Sequence, residues 1–259
     1  MNEPRGAAER LEAIDNLHCL YDEGKYGQLI RSDDAFLLRF LRAKKFNLDK
    51  ALKCLQNYHK IRHEMPEVFA KVNHPNLLKN VIASGVLYIG DKQLKNGARV
   101  VIYRTGLIPS DASILDIMAY GILCVECMLE DEEYQICGHV LIEDFNGFNI
   151  GKMTQLSPLS LKKMNSVWQD CLPVRYKLFH VINEGTVFDI AFALVKPFLK
   201  EKMVKRIKLH GKNYEESLVD IDRELLPPYM GGTGPDPTSV NSAWCEKLAS
   251  MCSIGDLLL

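Results

Sequence analysis

The chain has 259 residues, of which 47% are hydrophobic and 25% are charged. These proportions are typical of a globular protein and exclude a disordered one. The 32 Lys and Arg residues nearly balance the 33 Asp and Glu residues, so the net charge is -1. Because no overall positive charge favours nucleic acid, we expect no nucleic-acid partner, and any electrostatic partner must bind a local cluster of charges.

Several features predict a cytoplasmic protein. No run of about twenty apolar residues is free of charges, so we expect no membrane-spanning helix. The first residues are charged and lack the apolar core of a signal peptide, and Asn2 replaces the glycine that myristoylation requires. The eight cysteines are therefore expected to be reduced thiols. The one CxxC pair, Cys124 and Cys127, is expected to be buried and structural.

Helical spacing of apolar residues dominates the first part of the chain. Residues 8–20 carry Leu and Ile on one side of a helix. Asp33 can cap a second helix, and Asn47 can cap a third, which should end before Pro66. We therefore predict a small N-terminal helical bundle over residues 1–73.

After residue 73 the pattern changes to short β-branched and aromatic runs, which predict buried strands. The predicted strands span residues 85–90, 98–103, 139–143 and 178–182. Helical patterns at residues 111–130 and 158–171 alternate with them. This alternation predicts an α/β domain over residues 74–259, with a helical tail at its C-terminal end.

The sequence lacks the motifs on which common active sites are built. It has no GxSxG nucleophile elbow, no GxxxxGK[ST] phosphate loop, no GxGxxG after a strand and no HExxH zinc motif. His59 and His63 have zinc-compatible spacing, but no third ligand lies near them in the sequence. We therefore predict that the protein is not an enzyme and that it holds no metal and no cofactor.

Two adjoining segments carry the strongest functional signal. Residues 188–195 are almost entirely apolar, so a helix formed there is buried on all sides or faces a partner other than water. Residues 196–212 then contain seven Lys and Arg residues against the single acid Glu201. Lys202 and Arg206 lie one turn apart on the predicted basic amphipathic helix. The combination is typical of a membrane-binding surface; a core helix followed by a solvated lysine face is the alternative.

An ordered series of motifs resembles the CRAL-TRIO lipid-transfer family. FLLRFLRA at residues 36–43 resembles the helical signature of the family's N-terminal domain. A second series follows in family order: HVLIED at 139–144, GF at 147–148, LP at 172–173, HVIN at 180–183, KPFL at 196–199, HGKN at 210–213 and LP to GG at 226–232. The resemblance extends from about residue 9 to about residue 250.

The resemblance implies an α/β CRAL-TRIO domain, behind the small helical bundle, in which a mixed sheet floors a closed apolar pocket. A mobile helix at roughly residues 183–202 is then the gate over this pocket. Twelve positions match the family's pocket lining: Met118, Gly121, Val125, Glu143, Met164, Val167, Trp168, Val174, Phe179, Val195, Phe198 and Leu199. The spacing of Phe188 and Phe192 along the gate adds these two residues to the predicted lipid pocket.

The resemblance also implies a basic cleft that binds the head groups of phosphatidylinositol bisphosphate. Five positions match it, and all are Lys or Arg here: Arg62, Arg175, Lys177, Lys202 and Arg206. Since they lie far apart in the sequence, only the fold can gather them.

Three pocket positions depart from the pattern of the tocopherol-binding members. Gly121 and Val125 correspond to serines that help to hold the tocopherol hydroxyl group, and Glu143 corresponds to a phenylalanine. Two alternatives stay open for Glu143. It faces the pocket and changes its polarity, or it is paired inside the sheet.

We therefore expect a cytosolic carrier for a small hydrophobic lipid that is tocopherol-like, retinoid or related. The carrier exchanges its lipid at phosphoinositide-containing membranes, endosomal or other, which it contacts transiently. The alternative is a phosphoinositide-dependent membrane adaptor that holds a structural lipid without transferring it. The sequence leaves the identity of the lipid and the oligomeric state open.

Overall fold

The computed structural model describes residues 6–148, 151, 157–212, 214, 218–237, 244, 246 and 248. Most of the predicted C-terminal helical tail lies outside the described residues, as does Asn213 of the HGKN motif. Within the described ranges, no helix is both long enough and apolar enough to cross a membrane.

The N-terminal region is helical, as its spacing predicts. Its helices are α1 (Ala7–Leu20), α2 (Glu23–Tyr26), α3 (Asp34–Ala43), α4 (Leu48–Glu64) and α5 (Pro66–Asn73). The Asp33 side chain accepts a hydrogen bond from the Phe36 amide at 3.0 Å, and that of Asn47 accepts one from the Lys50 amide at 3.0 Å. Both predicted caps are therefore present.

A mixed sheet forms the centre of the second region. Its strands are β1 (Leu87–Gln93), β2 (Arg99–Arg104), β3 (His139–Asp144), β4 (Tyr176–Ile182) and β5 (Ile207–Leu209), and they lie side by side in chain order. β1 and β2 are antiparallel, and each following pair is parallel. The four strands predicted from sequence are confirmed, and so is the predicted fold class.

Parallel neighbours require crossover connections, and helices supply them here. The helices of this region are α6 (Lys79–Ala83), α7 (Ile114–Met128), α8 (Glu132–Cys137), α9 (Pro158–Ser166), α10 (Thr186–Val195) and α11 (Glu201–Val204). A single π-helical turn, Val167–Cys171, extends α9. One face of the sheet packs toward α7 and the N-terminal helices, and the other packs on residues 218–230.

The prediction of a basic amphipathic helix around Lys202 and Arg206 was wrong. α11 has only four residues, and a turn at Arg206 leads directly into β5. The edge of β4 explains the difference, because Ile207 pairs there with Phe179, whose amide donates to the Arg206 carbonyl at 3.0 Å. Such pairing depends on residues distant in sequence, so helical spacing alone could not show it.

Candidate functional site

A cavity of about 350 Å³ lies between the sheet and the helices α7, α9 and α10. Successive strand residues point to opposite faces, so alternate residues of each strand reach it. Val101 of β2, Leu141 of β3 and Val181 of β4 supply apolar floor positions. Cys124 of the CxxC pair also lines it, and both cysteines of that pair are buried, as predicted.

Eleven of the fourteen predicted lipid-pocket residues line this cavity. They are Met118, Gly121, Val125, Glu143, Met164, Trp168, Phe179, Phe188, Phe192, Val195 and Leu199. Gly121 allows close packing across the cavity wall, because a Cβ atom there would lie 2.8 Å from the Trp168 ring.

The other three residues lie elsewhere. Val167 and Val174 are buried in the main hydrophobic core instead. Phe198 lies in a 3-10 turn, Lys196–Phe198, that begins where α10 ends. The family resemblance placed Phe198 in the pocket lining, but α10 ends before this turn and Phe198 does not line the cavity.

The helix predicted to be the gate, α10, has two apolar faces. Phe188, Phe192 and Val195 face the cavity. An outer row on the opposite side consists of Val187, Ile190 and Leu194, which are 41%, 53% and 48% exposed. The apolar residues of this helix therefore form two faces, one toward the cavity and one toward solvent. The helix α9, which packs against α10, also carries an exposed apolar side chain, Leu159, which is 63% exposed.

Gln169 joins the cavity wall to the end of the gate. Its Nε2 donates to the Phe198 carbonyl at 3.0 Å, and its Oε1 accepts from the Lys200 amide at 2.7 Å. The Lys200 ammonium forms an ion pair with the neighbouring Asp170. These contacts hold the segment after α10 against the π turn.

Glu143 faces the cavity from the middle of the sheet. No hydrogen bond or ion pair joins its side chain to any residue in the described ranges, so it is not paired inside the sheet there. Burial raises the pKa of its carboxyl group to about 7, because enclosure by apolar groups penalises the charged form. The surface that the side chain exposes belongs to the cavity rather than to the outside of the protein.

A cluster of cations surrounds Lys202. The nearby charge of Arg206, together with burial and the charges of Lys45, Lys44 and Lys50, lowers the pKa of Lys202. No carboxylate in the described part of the chain forms an ion pair with Lys202. We call Lys44, Lys45, Lys50, Lys202 and Arg206 the basic cluster. Its mutual repulsion makes it a favourable site for an anion.

Two more of the predicted cleft residues lie at the edge of this cluster. The Arg206 guanidinium donates to the Tyr176 carbonyl, next to the exposed Lys177. Arg175 donates to the carbonyls of Ile136 and Arg42, two residues before Lys44. Its guanidinium therefore ties β4 to the N-terminal helices.

Arg62 lies in the protein interior rather than at the surface of the basic cluster. Its guanidinium donates to the Tyr58 hydroxyl at 2.5 Å and lies 3.8 Å from the Glu126 carboxylate. It also stacks on the ring of Phe69, with 4.5 Å to the centroid. Arg62 thus forms a buried ion pair between α4 and α7, and the structure does not bring it together with the basic cluster.

The sequence reasoning missed Lys44, Lys45 and Lys50. The signal for the first two was the pair of lysines directly after the FLLRFLRA motif, and nothing in their spacing linked them to Lys202. Tyr103 and Tyr176 were also missed, although strict alternation along β2 places Tyr103 on the same face as Val101.

Comparison with known proteins agrees with this architecture. Residues 83–232 match the CRAL/TRIO domain, and residues 10–57 match the CRAL/TRIO N-terminal domain. The chain therefore belongs to the CRAL-TRIO family, as the ordered motifs predicted. The crystal structure of Sfh5 superposes with a TM-score of 0.55 over 96% of this chain and 99% of that one, at 15% identity, which shows the shared fold.

Two groups of relatives are similar in sequence. Human alpha-tocopherol transfer protein-like is 41% identical over 202 residues, which cover 78% of this chain and 59% of that protein. Clavesin-1 of Xenopus laevis is 33% identical over 209 residues, which cover 80% of this chain and 63% of that protein. The chain thus spans about six tenths of the length of these relatives.

Proposed function

We propose that the protein is a carrier that binds one small hydrophobic lipid in its cavity and exchanges it at phosphoinositide-containing membranes from the cytoplasm. The observation that carries this proposal is the pair of apolar faces on α10. A helix that closes an apolar cavity with one face and exposes a second apolar face to solvent suits a gate that opens against a lipid surface.

The surface beside the gate supports membrane contact. Complete burial of a Val, Leu or Ile side chain is worth about 1.5–3 kcal/mol, and the outer row offers three that are about half exposed. Each Lys or Arg close to an anionic leaflet adds about 1 kcal/mol. The basic cluster has five such residues, so the two surfaces together favour an anionic membrane over a neutral one.

The chain connects head-group binding to the gate. Lys202 lies in α11, which follows α10 after only a short turn, and Arg206 follows α11 directly. A phosphoinositide bound by the basic cluster favours the open gate only through a higher affinity for the open state. The hydrogen bonds of Gln169 to Phe198 and Lys200 link the cavity wall to the segment between α10 and α11, so we expect a preference for the open state to act through them.

A vesicle assay tests this proposal. Lys202→Ala combined with Arg206→Ala should leave lipid binding in solution nearly unchanged and should slow transfer to vesicles that contain phosphatidylinositol bisphosphate. The matched control combines Lys205→Ala with Lys208→Ala, which removes the same charge from the same segment. Lys205 pairs with Glu201 at 2.5 Å, and Lys208 lies beside His180 on the other face of the sheet.

Transfer to neutral vesicles should be the same for all three proteins. In the unmutated protein, transfer to phosphoinositide vesicles should slow as salt rises, because exposed charges are screened. Equal rates for the two double variants on phosphoinositide vesicles would contradict a specific role for the basic cluster.

A further inference from the structure

Three polar groups lie on the sheet floor of a largely apolar cavity. Tyr103 of β2 lies directly opposite Glu143 of β3 in the strand register, and Tyr176 of the neighbouring strand β4 lies opposite His139, further along the same cavity face. All three residues line the cavity. We call them the polar triad.

The side chains of the polar triad have no polar partner among the residues that the structure describes. No hydrogen bond from a described residue reaches the carboxyl group of Glu143 or the hydroxyl group of either tyrosine. The described lining contains no Lys or Arg that could neutralise a carboxylate. Burial is the main cause that raises the pKa of both Tyr103 and Tyr176, and the charge of Glu143 is the second, so each tyrosine lies within electrostatic reach of Glu143.

The other polar lining residues are already engaged. Asn165 donates to the Leu161 carbonyl, and Gln169 is bonded to the segment that follows the gate. His139 shares a 2.7 Å hydrogen bond with Tyr134. Since buried polar groups are nearly always hydrogen-bonded in folded proteins, the polar triad is the place where a ligand's polar group is needed.

The hydrogen-bonding capacity of the polar triad defines the complementary group. The two phenols can donate, and above about pH 7 the Glu143 carboxyl group is ionised and can only accept. A ligand hydroxyl donates one hydrogen bond and accepts others, so it satisfies both kinds of partner at once. A carbonyl oxygen uses the phenols and leaves the carboxylate unpaired, and an ether cannot donate at all. An ammonium group can donate to the carboxylate, but it must first lose the water that solvates its charge.

We infer that the cavity selects a neutral lipid alcohol, whose hydroxyl group donates to the Glu143 carboxylate and accepts from Tyr103 or Tyr176. This inference rests on the proposed carrier function and names the class of its cargo. The remainder of the cavity lining is apolar or already hydrogen-bonded, so it contacts the hydrocarbon portion of the ligand and does not select its polar group. Donation to the carboxylate also stabilises the ionised form of Glu143, so binding of the alcohol should strengthen as the pH rises through about 7.

The test presents matched lipids to the delipidated full-length chain. Phosphatidylcholine vesicles carry retinol, α-tocopherol, cholesterol and octadecanol, each with its own methyl ether in equal amount, and octadecylamine is added. Native mass spectrometry then identifies the lipid that each protein retains. For whichever skeleton the cavity accepts, the alcohol should be retained about tenfold or more over its methyl ether, the preference expected from a hydrogen bond to a charged group.

Variants assign the preference to the polar triad. Glu143→Leu should abolish the discrimination between alcohol and ether, and Tyr103→Phe with Tyr176→Phe should reduce it several-fold. The double tyrosine variant removes only two hydroxyl oxygen atoms and so disturbs the packing little. It provides the test if the Glu143→Leu variant does not fold. Glu67→Leu, which makes the same change at an exposed position of α5 outside the cavity lining, is the matched control and should keep the full preference.

The outcomes separate this inference from the carrier function. Retention of alcohol and ether in equal amounts, or preferential retention of octadecylamine, overturns the inference and leaves the carrier function in place. Retention of none of the lipids by the unmutated chain contradicts the carrier function and the inference together. Unchanged discrimination in both the Glu143 and the tyrosine variants also overturns the inference.

Discussion

Replacement of Glu143 by glutamine offers a quantitative test of the buried carboxyl group. In the unfolded chain this group has an ordinary pKa of 4.5, and in the folded protein burial raises the pKa to about 7. The folded state therefore holds the proton more tightly than the unfolded state. Its stabilising contribution is complete below about pH 4.5 and is lost as the pH rises through about 7.

The size of the effect follows from the shift. A difference of about 2.5 pKa units at 1.36 kcal/mol per unit corresponds to roughly 3 kcal/mol. Glutamine resembles the protonated side chain in shape and cannot ionise. The variant should therefore match the unmutated protein at low pH and exceed its free energy of unfolding by roughly 3 kcal/mol at about pH 8.

Urea denaturation of the lipid-free proteins from about pH 5 to about pH 8 measures this difference. Burial lowers the pKa of His139 to about 4, and that of His180 to about 4, so the stability of both proteins also falls in acid. These histidines are common to both proteins and cancel in the difference. Glu67→Gln, at an exposed position, gives the baseline for loss of a carboxylate. A difference between variant and unmutated protein that does not change with pH would refute the assignment of Glu143 as a buried, unpaired group.

Four further variants test the gate and the interface between the helical and α/β regions. Val195→Asp places a charge in the cavity and should abolish lipid retention, whereas Leu194→Asp, one residue away on the exposed side, should retain the lipid and weaken membrane binding; equal retention contradicts the gate geometry. Gln169→Ala removes the two hydrogen bonds that hold the segment after α10, each worth about 1 kcal/mol, so release of bound lipid should accelerate on the order of tenfold or more. An unchanged release rate would contradict a role for these contacts in keeping the cavity closed. Arg62→Met removes one of the two arginines paired with Glu126 and leaves Arg39 at 3.6 Å, so it should lower the free energy of unfolding by about 2 kcal/mol and preserve phosphoinositide-dependent transfer. Lost transfer at full stability would assign Arg62 to the cleft.

Local patterns were sufficient to predict much of the fold. Caps such as Asp33 and Asn47 act on amides only three residues away, and strand runs such as residues 139–143 carry their own β-branched signature. The ordered motifs then identified the family. β5 was not predicted because its three residues form a strand only by pairing with β4, which lies about thirty residues earlier in the chain.

The site was predictable only in part, because its geometry depends on long-range packing. Most pocket positions on α7 and α10 follow helical spacing, but Phe198 does not, since α10 ends before it. Arg62 has the charge expected of a cleft residue, and only the fold reveals that Glu126 holds it in the interior. Lys44 and Lys50 approach Lys202 across about 150 residues of chain, which no local pattern records.

The orientation of the Glu143 side chain could be assigned only from the strand register in the structure. Sequence alone allowed a carboxyl group paired within the sheet or one facing the cavity. The alternation along β3 places it with Leu141 on the cavity face, and parallel pairing with β2 places Tyr103 opposite it.

The most direct test of the carrier function is the exchange of a lipid that copurifies with the protein. Native mass spectrometry of the protein purified from cells, followed by organic extraction, should find one lipid bound per chain. Incubation with vesicles that carry an isotope-labelled form of the same lipid should replace it, and phosphatidylinositol bisphosphate in the vesicles should accelerate the replacement. A chain that holds its lipid without exchange on such vesicles, while still binding them, would contradict the carrier function and favour a membrane adaptor with a structural lipid.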